Sequence, residues 1–454
     1  MIVFFKNQCK RMAISSLLMA FSSVASFAQA TGEQAQMELT LPKAIEMALA
    51  ENPTMKVADK EIQLKQVADK EAWQNLLPSV DAQLALSHSI KVAAIRTKMP
   101  GSDQVAEFKM GMDGSTTAQG GLTMTLPLFA PAVYQNMKLT KEDILVAQEK
   151  ARGSKLDLIN QVTKAYYSAL LAKDSYGVMQ KAYNTSKEYF ETINNMFEVG
   201  RVSEYDKISA EVQMRNMSSS VVSAETGVKL SLLQLKVLMG ITADVDIVID
   251  DNLKNYESSM VIPAENGTYE IENNTNLKQL DLNVGLLQRT RKILKTNFMP
   301  VVAMQLTGQY QSMSNDNWNV FNYHYSPSIS LAFSVSVPVF RASNWTKLQS
   351  NRLQIEQLLD TRENTRRQLS MAATSYRENM ISTVAKLESN REAVVQADKA
   401  VTISAKRYDV GKGTVLELNQ SETSLTQAEL TYNQSIYEYL TNKADLDYTL
   451  GREN

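Results

Sequence analysis

The sequence holds very little that could do covalent chemistry. Its one cysteine, Cys9, lies among the first thirty residues, and its two histidines, His88 and His324, are far apart in the chain. Beyond the leader, disulfides, thiolate nucleophiles and cysteine–zinc sites are therefore excluded. No glycine-rich phosphate loop follows a strand, and no carboxylate cluster stands out. The expectation is a protein without catalysis, cofactor or metal. An excess of one charge is also missing. Lys and Arg number 47 against 49 Asp and Glu, a net charge of -2, so the basic face that nucleic acid requires is not there. After residue 30 no apolar run approaches the ~20 residues of a membrane helix.

The leader explains the cysteine. Lys6, Lys10 and Arg11 precede the apolar stretch Met12–Phe27, and Ala28-Gln-Ala30 offers small residues for cleavage before Thr31. This is the pattern of a secretory signal peptide, residues 1–30. Its removal takes away three cations and leaves -5 on the remainder. Thr31 in place of a cysteine gives no point for lipid attachment.

The main feature of the remainder is an internal repeat. Phe197-Glu-Val-Gly200 matches Tyr408-Asp-Val-Gly411 at an offset of 211, as do Leu238-Met-Gly240 with Thr449-Leu-Gly451 and Leu126-Pro-Leu-Phe129 with Val337-Pro-Val-Phe340. Upstream, Asn75-Leu-Leu-Pro78 matches Asn297-Phe-Met-Pro300 at 222. The change of offset falls between the two prolines of each copy, where a surface loop absorbs a length difference. The expected organisation is a first repeat at 31–240, a connector at 241–275 and a second repeat at 276–454.

Within each copy the order reads helix, hairpin, helix, helix. Thr40-Leu-Pro42 opens a short helix that Asn52-Pro53 ends, and helical periodicity resumes over 54–76. After Pro78 the period becomes two. Val80, Ala82, Leu84 and Leu86 alternate with Asp81, Gln83, Ala85 and Ser87, and Leu122, Met124, Leu126 and Leu128 with Thr123, Thr125 and Pro127. Copy two repeats this with Val302, Met304, Leu306 and Tyr310, then Ile329, Leu331, Phe333, Val335, Val337 and Val339. The four strands are placed at about 79–90, 120–129, 301–311 and 328–340. A half-buried antiparallel sheet alternates in the same way. Two details favour membrane strands. The polar side has Ser, Thr, Gln and one Asp with almost no Lys or Glu. The loops at about 91–118 and 312–327 are long and polar, with Lys98, Asp103, Asp113, Asn315, Asp316 and Asn317. A bilayer admits strands only in a closed barrel, and four cannot close one, so several protomers would have to contribute.

Proline and glycine are scarce where it matters most. Beyond Pro131 to 196, and from 342 to 407, there is no proline and little glycine. A helix of ~65 residues is about 100 Å long and must pack on other helices. Leu418, Leu425, Tyr432, Tyr439 and Leu446 form a heptad seam beside the small residues Ser421, Ala428 and Ser435. Copy one has the weaker series Met214, Val221, Val228 and Leu235. The expected fold class is mainly α with membrane β: long antiparallel helical hairpins turning at Gly200 and Gly411, plus four strands.

In the order, spacing and duplication of these elements, the chain resembles the TolC family of outer membrane efflux proteins. The resemblance covers essentially everything after the leader. It implies a homotrimer whose twelve strands form one outer-membrane barrel, continued by a periplasmic helical tunnel that docks an adaptor protein and an inner-membrane pump. It implies a pore constriction at the tips, with Asp206 and Glu417 in acidic places, Gln420 in another, and Tyr408 in the aromatic place. The family's arginine falls on Gly413, which leaves Arg201 or Arg407 as substitutes. Gly200, Arg201, Gly411 and Lys412 would meet the adaptor. For Asp206 and Glu417 the plainer reading is a first-turn charge or a solvated helix face. The methionines tempt a metal-export reading, Met110 and Met112 above all, but Met also serves as core filler. The alternative to a duct is a periplasmic coiled-coil scaffold without a pore.

Overall fold

The computed structural model describes residues 37–98, 101, 105–242, 244–261, 270–315 and 319–453. Residues 1–36 with Cys9, and Asp103, Asp316, Asn317 and part of the segment expected as the connector, lie outside the described residues. Among the described residues no helix is long and apolar enough to cross a membrane.

The described residues form seven α-helices: α1 (Leu41–Glu51), α2 (Pro53–Gln74), α3 (Pro131–Glu198), α4 (Glu204–Met239), α5 (Thr275–Thr296), α6 (Ala342–Asp409) and α7 (Val415–Thr449). The two long ones, α3 and α6, have 68 residues each, about 100 Å of rod. Each is flanked along its length by two shorter helices: α3 by α2 and α4, α6 by α5 and α7. The halves join along α3, which also packs against α5 and α7.

One asparagine in each half stacks the short helices end to end. Pro53 pushes Asn52 out of the helical region, to ψ 128°. Asn52 Oδ1 then accepts from Thr54 N at 2.8 Å, capping α2, while its Nδ2 donates at 2.7 Å to the carbonyl of Leu238 in the last turn of α4. Asn274 does the same in the second half. Its Oδ1 accepts from Asn276 N at 2.8 Å and its Nδ2 donates to the Thr449 carbonyl at 2.8 Å. Each stacked pair thus acts as one long rod with a break. The break needs glycine at the preceding terminus: Gly240 has φ 71°, and a Cβ there would fall 2.9 Å from the Glu51 carbonyl.

The main core lies at the level of these junctions. Val162, Tyr166 and Leu170 of α3 are buried with Leu235 and Met239 of α4, and Ile436 and Leu440 of α7. The connector straps this level through Leu253 and Ile271, and a short parallel pair, β1 (Met37–Glu38) with β6 (Ile247–Val248), closes it. Of the heptad seam, Leu418, Tyr439 and Leu446 are buried, and Ser435 accepts from Asn390 Nδ2 on α6 at 2.7 Å. In copy one only Leu235 of the weaker series is fully buried.

Four strands make one antiparallel sheet in the order β2 (Ser79–Ser89), β5 (Ser115–Phe129), β7 (Val301–Ser314), β8 (Ser326–Ser336). Three features differ from the sequence expectation. The first loop contains a further hairpin, β3 (Ala94–Lys98) with β4 (Val105–Lys109), and β5 begins at Ser115. Strand β8 stops at Ser336, because Pro338 has no N–H to give a ladder. Pro127 is tolerated inside β5 because pairing with β2 ends at Ser79↔Thr125, leaving that side free.

Candidate functional site

The sheet sorts its residues by face. Register places Val80, Met124, Leu306 and Leu331 in one row, and Ala82, Leu122, Gly308 and Ile329 in the next. On the opposite face one row is Asp81, Thr123, Thr307 and Ser330, and another is Gln83, Gly121, Gln309 and Ser328. Thr123 and Thr307 approach to 3.4 Å between hydroxyls. Among the described residues much of the apolar face is left uncovered. Leu84 is 89% exposed and Ile329 82%. Among the described residues the β2 and β8 edges carry no partner strand. Aromatic residues sit at both ends: Phe298 meets Trp345 edge-on at 5.2 Å near the helices, with Phe340 exposed nearby in sequence, and Tyr310, Phe321 and Tyr325 stand at the far end.

At the other end of the molecule two tips are built alike. The α3–α4 turn closes with Gly200 at φ 70°, Gly200 N donating to Phe197 O at 2.8 Å and Arg201 N to Met196 O at 2.8 Å. The α6–α7 turn repeats this at Gly411, also φ 70°, with Lys412 N on Arg407 O at 2.8 Å. Both are Schellman endings, which the left-handed glycine permits. The next helix starts on Ser203 in one tip and Thr414 in the other, each hydroxyl accepting from the backbone three residues on at 3.2 Å.

Asp206 and Glu417 are the residues at that third position. Asp206 spends its carboxylate locally: Oδ2 accepts from Ser203 N at 3.2 Å and from Ser203 Oγ at 2.7 Å, completing a capping box. Glu417 turns instead to Arg407, whose Nη1 lies 3.5 Å from Oε2, while Arg407 Nη2 donates to the Lys412 carbonyl at 3.2 Å. Arg407 is thus the cation beside Glu417, and Arg201 points out exposed at the other tip. Gly413 packs closely: a Cβ there would lie 3.1 Å from Arg407 Cβ and Tyr408 N.

Tyr408 joins the tips. It packs on a small cluster of Ile193, Ala210 and Val415 drawn from α3, α4 and α7. Its hydroxyl is shut from solvent and has no hydrogen-bond partner among the described residues. Burial raises its pKa, and the carboxylates of Asp206 and Asp409 push it further. The structure therefore brings Asp206 and Tyr408 into one electrostatic neighbourhood and Glu417 beside Arg407. Gln420 is exposed on α7, and its backbone carbonyl accepts from Ser424 Oγ at 2.8 Å.

Two features escaped the sequence reading. Lys207 places its ammonium 4.9 Å over the Phe197 ring across the first tip. Glu422 is buried between α7 and α3, 7% exposed, and burial pushes its carboxyl up to about 7. Neither stands out from the charged residues around it in the linear sequence.

Comparison with known proteins now bears on this geometry. A family model described as outer membrane efflux protein matches residues 44–241 and 269–452. The outer membrane protein TolC of Vibrio cholerae is 21% identical over 386 residues, 83% of this chain and 87% of that protein. The alkaline protease secretion protein AprF of Pseudomonas aeruginosa is 23% identical over 340 residues, 73% of this chain and 69% of that one. Among solved structures, CusC superposes with a TM-score of 0.73 at 14% identity, covering 94% of this chain and 96% of that one. The Campylobacter jejuni CmeC outer membrane channel gives 0.69 at 16% identity, covering 93% and 90%. These structural likenesses concern the fold. The family model spans both halves of the repeat and most of the chain, and the protein belongs to the outer membrane efflux protein family.

Proposed function

We propose that three copies of this chain close one twelve-stranded outer-membrane barrel, continued into the periplasm by the helices, and that the assembly is a passive exit duct. The observation that carries this is the sheet: an exposed apolar face, a polar face of Asp, Thr, Gln and Ser, and two open edges. In water such a sheet would aggregate through its edges. In a bilayer the edges must be paired, which only closure achieves. β2 leaves the helical end and β8 returns to it, so β8 of one copy runs antiparallel to β2 of the next. Two copies would give eight strands, whose interior side chains fill the space; three give a lumen. The apolar rows then face lipid, the polar rows line the lumen, and the aromatic ends mark the two interfaces. A pore-free scaffold leaves the apolar face without a role.

A duct of this kind supplies no energy. An inner-membrane pump would do so, linked by a periplasmic adaptor that meets the exposed tips at Gly200, Arg201, Gly411 and Lys412. The constriction would lie at the same end, formed by Asp206, Tyr408, Glu417 and Gln420 of each copy. Three Glu417 carboxylates around one axis attract cations, and Arg407 partly offsets each. Planar-bilayer conductance of the detergent-purified protein tests this reading. Steady cation-selective steps that lose selectivity in Glu417→Ala support it. Steps indifferent to the substitution remove Glu417 from the constriction, and a protein that is soluble without detergent and never conducts overturns the duct.

A further inference from the structure

We propose that Glu422 is a proton-operated latch between the two helical hairpins, holding them packed when its carboxyl is protonated and favouring their separation when it ionises. The proposal rests on the reading of the chain as a duct, because the seam it controls runs along the wall near the entrance.

Glu422 lies in the third turn of α7, on the face turned to α3, so it bridges the hairpin of one repeat to that of the other. Glutamate is almost never this deeply buried without a partner that offsets its charge. Here Ser186 Oγ of α3 donates to Oε2 at 3.3 Å, and Oε1 is closed from solvent with no partner among the described residues. Among the described residues no lysine or arginine is paired with it. From α3 it is faced by Ser186 and Tyr189, whose hydroxyl is pushed up by burial and further by the Glu422, Asp409 and Glu188 carboxylates. Lys181, farther along the same seam, is held by Glu429 Oε1 at 3.0 Å. From α6 comes Ser404, bonded at 2.8 Å to Ser421, while Arg407 is turned to Glu417 and the Lys412 carbonyl. From α4, Asp206 is engaged with Ser203 and Lys207 lies over Phe197. An ionised Glu422 would be a buried charge with one weak donor, which a protein avoids by keeping the group neutral or by exposing it.

The sign follows from where the proton binds more tightly. In the packed seam burial pushes the carboxyl up to about 7, opposed by the Ser186 hydroxyl. If the hairpins part and water enters, it returns toward its ordinary value of 4.5. Protonation therefore stabilises the packed form. That stabilisation is fully present below the ordinary value and is lost as pH rises through about 7. The gap corresponds to a change of roughly 300-fold in the packed-to-separated ratio.

The test is open probability in planar bilayers from about pH 5 to about pH 8.5, for the full chain and for Glu422→Gln, which keeps the shape and cannot ionise. Wild type should spend more time closed as pH falls, and Glu422→Gln should behave at every pH as wild type does in acid. A Glu422→Gln channel that titrates like wild type overturns the latch. Absence of conductance in every variant would instead sink the duct reading, and an infrared difference titration then stands alone. A protonated-carboxyl band that is missing in Glu422→Gln and disappears near neutrality supports the latch, and one that disappears in the ordinary carboxylate range refutes it.

Discussion

Asn274→Ala strikes the junction that makes α5 and α7 behave as one rod. The side chain is 2% exposed and makes two hydrogen bonds, one capping α5 through Asn276 N and one satisfying the Thr449 carbonyl. Loss of the cap costs about 1 kcal/mol. The Thr449 carbonyl is among the last-turn acceptors that lack an intrahelical donor, and leaving it buried and unpaired costs about 1–3 kcal/mol more. The sum, about 2–4 kcal/mol, is local, and hydrogen exchange reads it locally. Amides in the first turn of α5 and the last turn of α7 should exchange roughly 30 to 1,000 times faster, with little change in the sheet. Asn274→Asp separates the two bonds: it keeps the capping acceptor and loses the donor. Protection should then survive in the first turn of α5 and fail near Thr449. Exchange within twofold of wild type at both places in Asn274→Ala would refute the account of the junction.

Other substitutions divide along the same physical lines. Ile329→Arg places a charge on the apolar face and should cost about 2–4 kcal/mol at mid-bilayer, reducing assembled protein in outer-membrane fractions. Its neighbour Ser330→Arg, on the polar face, should assemble and change ion selectivity. Gly240→Ala must place a Cβ against the Glu51 carbonyl at φ 71°, whereas Gly411→Ala has the same φ and open space. Both should be destabilised by about 1–2 kcal/mol from the left-handed backbone, and thermal melts should show Gly240→Ala clearly the worse. Tyr408→Phe removes a buried hydroxyl that has no partner, so the melt should be unchanged or slightly raised.

Much of this was legible in the residues, and the reason is periodicity. The repeat, the long helices and the four strands each occupy enough sequence for an apolar pattern to declare itself. The tips were legible because two glycines at one offset require the same left-handed turn. The hairpin β3–β4 was missed because its five-residue strands mix Ile95 and Phe108 with charges such as Arg96 and Glu107, which pair at 3.0 Å. The start of β5, Ser-Thr-Thr-Ala-Gln-Gly, has no apolar alternation, yet it is held as strand by backbone ladders to β2 and β7. Asn52 could be seen as a helix boundary, but neither its bond nor that of Asn274 to a carbonyl nearly two hundred residues away could be. Glu422 looks like any surface glutamate in the sequence, and its character comes wholly from what α3 lays over it.

Counting copies through the sheet edges tests the central claim most directly. With Cys9, the one cysteine of the sequence, replaced by serine, cysteines placed at Gln83 on β2 and, one at a time, at positions 326–336 on β8 would be the only thiols in the chain. Closure by three copies predicts that oxidation of outer-membrane protein at some β8 position gives a covalent ladder that ends at the trimer, and that reduction returns monomer. A ladder ending at the dimer, or no ladder at any position from a protein found in the soluble periplasmic fraction, would contradict it.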